Sequence, residues 1–184
     1  GAADYRRSLE EKKAELDQQR KEVVERFDQQ IGALKNQRAD VERNLTEAKN
    51  RVRALEADLD AAAGEKVRFQ RDVKDTRSRI IEMERSDDPD KAAQLGELNA
   101  RLSSLTASLL DATNAEPELA AQLPGLQNEA LSLSTALNDL QGQIQALEND
   151  RKNELLPIDE QLEALEKQIK TKTSEIKSFG EQLA

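Results

Sequence analysis

The 184-residue sequence has no cysteine, no histidine and no tryptophan, and aromatic residues make up only 2% of it. Without cysteine there are no disulfides, no thiolate nucleophile and no Cys-ligated zinc. Without histidine the commonest general base and metal ligand is gone, so the usual catalytic triads and zinc motifs are excluded. The seven glycines are not spaced as in a Walker or dinucleotide loop. No apolar run approaches the roughly 18 residues of a membrane span, and nothing resembles a signal peptide. Only four prolines punctuate the chain. The scarcity of aromatics removes the side chains that supply much of a globular core's buried area.

What is present points one way. Hydrophobic residues are 36% and charged residues 35% of the sequence, against roughly 45–50% and about 25% in ordinary globular domains. Such a balance can signal disorder, but Ala, Leu, Glu, Gln, Lys and Arg dominate, and these are helix formers. The formal charge is −9, and it is unevenly spread. Residues 1–85 hold 20 basic and 19 acidic residues, whereas residues 86–184 hold 8 and 18. Direct nucleic-acid binding is not expected, because it needs clustered unpaired Lys and Arg. A near-neutral segment beside an acidic one can still pair.

Apolar residues recur in alternating steps of three and four, with the polar residues Arg38, Lys66 and Thr76 filling three of the places, through Ile31, Leu34, Val41, Leu45, Ala48, Val52, Leu55, Leu59, Ala62, Phe69, Val73, Ile80 and Met83. This is a heptad seam. It stops at residues 86–90, where Asp88 is placed to cap a new helix whose first residue is Pro89. The alternation resumes at Leu95 and runs to Leu147. If the chain folds back at this turn, residue i faces about residue 178 − i, and apolar then falls on apolar: Met83 on Leu95, Val73 on Leu105, Leu55 on Leu123, Leu45 on Leu133. The heptad also slips in both halves. Val23, Phe27 and Ile31 are four and four apart, as are Leu147, Arg151 and Leu155, and the same rule sets the two slips opposite each other. Matched stutters unwind the supercoil on both sides together. The expected fold is therefore all-α: a long antiparallel helical hairpin, with residues 1–85 as first arm, 86–90 as turn and 91–184 as second arm. At 1.5 Å per residue, each arm would be about 125 Å long.

One stretch of the seam is weak. Ala62 faces Glu116 and Lys66 faces Ala112, with Gly64 on one arm and Pro117 on the other, and no large side chain fills these layers. Gly costs a helix about 1 kcal/mol and an interior Pro about 3, so residues 62–66 with 112–117 are expected to form a joint, kinked or locally unwound, across which Lys66 and Glu116 can pair; the alternative is a short cap-and-restart that leaves the helices straight. Pro157, near the stutters, is a second weak point. Residues 92–147 carry a single basic residue, Arg101, and show Leu110 and Leu131 off the seam, so another helix can dock there.

These features predict no catalysis and no cofactor or metal. The expected role is a spacer or scaffold arm, or a protein-interaction module, of a larger assembly. The chain begins Gly-Ala-Ala without an initiator Met and reads as a piece of a longer polypeptide. The paired helices with a mid-arm joint also resemble the coiled-coil arms of the SMC family of chromosome-organising and repair ATPases. That resemblance spans the whole chain and rests on heptads. It implies ATPase heads elsewhere, since no Walker or signature motif, globular hinge or Cys-x-x-Cys hook is present. Two further readings are an extramembranous hairpin of a membrane protein and a curvature-sensing bundle of the BAR type, the last disfavoured by the acidic second arm. Expected partners are other protein segments or the rest of the same chain, without membrane insertion, the hairpin itself being a monomer or weak dimer. The chain reads as a soluble segment, cytoplasmic rather than secreted.

Overall fold

A computed structural model describes the backbone of residues 1–183 and the side chains of residues 1–180. Ala184, the last residue of the expected second arm, lies outside the described residues. Two helices account for the fold: α1, Ala2–Glu84, and α2, Lys91–Leu183. They form an antiparallel hairpin. Among the described residues, Lys13 pairs with Glu166, Arg20 with Asp159 and Arg51 with Glu129, each close to the 178 − i rule.

Contacts divide the chain into two units, each made of one stretch of either helix. The first comprises Gly1–Glu42 with Thr135–Ala184, the second Arg43–Ser134. In the first, Leu9, Phe27, Ile31, Ile144 and Leu162 are buried; in the second, Leu45, Ala48, Leu55, Ala62, Val73, Thr76 and Ala112. All are seam positions. Among the described residues no large side chain is completely covered, because two helices enclose each knob on one side only and leave its flank open to water. The side chain left with no exposure is a small one, Ala48.

Cross-helix charges line this strip. In the first unit Arg20 meets Asp159 and Arg151 meets Asp28, both at 2.7 Å, and Arg26 bonds Glu154. In the second, Arg51 reaches Glu129 at 3.4 Å. Exposed pairs contribute about 0–1 kcal/mol each. Their joint effect is to favour one register, since sliding the helices would set unlike partners apart.

The turn is built from short polar side chains and needs no left-handed residue, there being no positive φ among the described residues. Asp88 Oδ1 accepts the Asp90 amide at 2.9 Å, and the Asp88 carbonyl accepts the Lys91 amide at 3.1 Å. Asp88 thus caps the chain just before Pro89, the first turn closes with an i→i+3 bond, and the regular helix runs from Lys91. Two contributors were not anticipated from sequence. Ser86 Oγ accepts the Asp88 amide at 3.1 Å, and Lys91 Nζ donates to the Glu84 carbonyl at 2.6 Å. A cation there satisfies an orphan carbonyl at the negative end of α1. Asp88→Ala is expected to cost about 1 kcal/mol, read by urea denaturation and by faster exchange of the Asp90 and Lys91 amides. Unchanged exchange at both would show that the carboxylate does not cap the helix.

Candidate functional site

The structure shows where the three places singled out in the sequence lie. The first is the paired stutter, inside the first unit. Phe27, Ile31 and Ile144 form a buried cluster, against which Val23, Leu34 and Leu147 pack while partly buried. Phe27 is 5% exposed. The Arg26 guanidinium lies 5.0 Å from its ring centroid, and Arg151, the polar member of the opposite stutter, is turned to the edge and held by Asp28. Leu155 is half-buried at the next seam position. A stutter widens the local hole between turns, and an aromatic ring is the side chain large enough to fill it.

The second is the stretch around Gly64, inside the second unit. Ala62 and Ala112 are buried, and Lys66 Nζ sits 3.8 Å from Glu116 Oε2, both side chains more than a third exposed. Gly64 and Pro117 face solvent. Both helices run through this stretch without a break, as does α2 through Pro124 and Pro157, which are also exposed. Any weakness here is therefore energetic, not a gap in the helix. Pro117 removes the amide that would bond the Thr113 carbonyl, while the Thr113 hydroxyl donates to the Leu109 carbonyl at 2.7 Å. Each proline keeps its ring off the seam, so packing on either side offsets the lost bond.

The third is the turn, where Asp88 is half-buried and Pro89 exposed. Beside it a groove open to solvent runs between Arg79, Glu82, Glu97 and Arg101. Among the described residues no group of three or more carboxylates is placed to hold a metal ion, and no helix is long and apolar enough to cross a membrane. What this arrangement offers is surface: long helix flanks whose charges are set by the heptad.

No protein-family profile matches the sequence, and no curated protein does. Among solved structures, a coiled-coil segment of Pyrococcus yayanosii Smc is similar at 19% identity and a TM-score of 0.35, over 99% of this chain and 93% of that one. At that level the likeness adds nothing to the hairpin, which rests on the helix limits and the cross-helix contacts.

Proposed function

We propose that this chain is a structural coiled-coil arm, a spacer or scaffold that sets a distance between parts of a larger assembly and offers its flanks to other protein segments. The observation that carries this reading is the investment of 83 and 93 residues in two unbroken helices whose buried residues all lie on one seam. Such a strip has no interior in which a substrate could be surrounded. The Lys172 ammonium lies 5.2 Å from the Tyr5 ring centroid, so the chain enters and leaves the hairpin side by side. An arm of this kind can be inserted into a longer polypeptide wherever two chain ends are close.

A spacer should shorten in steps. Removing one heptad from each helix in register, residues 45–51 together with 127–133, keeps every remaining seam position in phase. The maximum dimension from solution scattering is expected to fall by about 10 Å per paired heptad, with helicity per residue unchanged. If paired deletion unfolds the chain, or leaves the maximum dimension unaltered, the spacer reading fails.

A further inference from the structure

We infer that the exposed flank of α2 between Ala107 and Ser134 is a docking surface for a second copy of this chain, which lies on it antiparallel about a two-fold axis at Ala120 and Ala121. This goes beyond the spacer reading and does not depend on it.

In a chain with 35% charged residues, the three outward rows that make up this flank carry none. Heptad geometry places Leu110, Pro117, Pro124 and Leu131 in one row seven residues apart, pointing away from the seam. All four are exposed, Leu110 and Leu131 at 60% and 66%. On either side of that row lie Thr113, Ala120 and Gln127, and Asn114, Ala121 and Asn128. The order is nearly the same read in either direction from Ala120 and Ala121. A two-fold interface requires this property, since residue i meets j while j meets i. Leu110 then meets Leu131 of the second copy, Pro117 meets its Pro124, Thr113 its Gln127 and Asn114 its Asn128. The alanines at the axis let the helices approach closely. A different partner would give no reason for the symmetry.

Charge selects the direction. Asp111 and Glu118 border the flank in its first half, whereas the equivalent places in its second half are Gly125 and Ser132. Antiparallel copies set Asp111 beside Ser132 and Glu118 beside Gly125. Parallel copies would set each acid against itself, which is destabilising. The prolines supply a further incentive. The carbonyls of Thr113 and Ala120 lack their i+4 amide donor because positions 117 and 124 are prolines, and Thr113 lies opposite Gln127 of the second copy, whose side-chain amide is a donor.

The flank is about 42 Å long, and a strip roughly 10 Å wide buries about 400 Å² per copy, below the roughly 800 Å² per partner of a standard stable interface. The association is accordingly weak and reversible.

Sedimentation equilibrium of the full chain from about 10 to 500 µM should show the weight-average mass rising toward twice the monomer value. Leu110→Glu with Leu131→Glu should abolish that rise, both sites being exposed, while Leu156→Glu, exposed but outside the flank, should leave it intact. Because the chain has no cysteine, register can be read directly. Mixing Leu110→Cys chains with Leu131→Cys chains should give at least about 10-fold more covalent dimer than either alone, since like positions would lie about 30 Å apart. A parent that stays monomeric throughout, a double glutamate variant that still associates, or Leu110→Cys chains cross-linking alone as readily as in the mixture would each overturn the proposal.

Discussion

Alanine in place of Phe27 is expected to destabilise the hairpin by about 3–5 kcal/mol, the largest effect of any single truncation. The ring is 5% exposed and forms the buried cluster with Ile31 and Ile144. It sits where both heptads slip, so neighbouring side chains cannot close the space without shifting the register on both helices. The flank of a two-helix seam is open, however, and water can enter the hole left behind, which favours the lower end of the range. Urea denaturation gives the total. Amide exchange locates it: faster opening is expected in the turns around Val23, Ile31 and Leu147 before those around Val73. A loss below about 1 kcal/mol would mean that the stutter is not a packing centre.

The opposite effect is expected where Gly64→Ala is combined with Lys66→Leu and Glu116→Leu. An added Cβ at Gly64 would meet nothing within 4 Å, so alanine contributes its full helix preference of about 1 kcal/mol. The Lys66–Glu116 pair, at 3.8 Å and more than a third exposed, belongs to the class worth about 0–1 kcal/mol. Two half-buried leucines beside Ala62 and Ala112 should contribute about 1 kcal/mol each. The triple variant is expected to gain about 2–3 kcal/mol, with a higher melting temperature and slower exchange in residues 60–68 and 110–118. In the parent those residues should exchange faster than the layers around Leu45 and Leu133. Uniform exchange in the parent, or no gain in the variant, would show that the stretch is an ordinary part of the coil, and flexing would have to be sought at Pro157.

The seam was legible because it is a local property: 3.6 residues per turn fixes which side chains share a face, whatever the partner. The spacing from Ile31 to Met83 and from Leu95 to Leu147 follows from it, and the Asp88 cap was legible separately, from a short acidic side chain placed just before Pro89. Whether Thr76 or Arg20 would be covered does not. Thr76 is 3% exposed and the Arg20 side chain 45%, although the heptad spacing from Ile80 and from Val23 puts both on the seam. A short hydroxyl side chain stays within the strip, whereas a long charged one leans to the edge and meets Asp159.

Helix propensity alone argued for a kinked or unwound stretch beside Pro117. Tertiary structure carried the helix through it, because seam packing on both sides outweighs one missing hydrogen bond. Tertiary structure also recruited Lys91, through its reach across the turn to the Glu84 carbonyl. No periodicity encodes that contact. Composition and spacing determined that this chain is two helices sharing one apolar strip; which charges pair across it and where it is tightly packed were decided only when the second helix lay against the first, since those depend on distances between residues far apart in sequence.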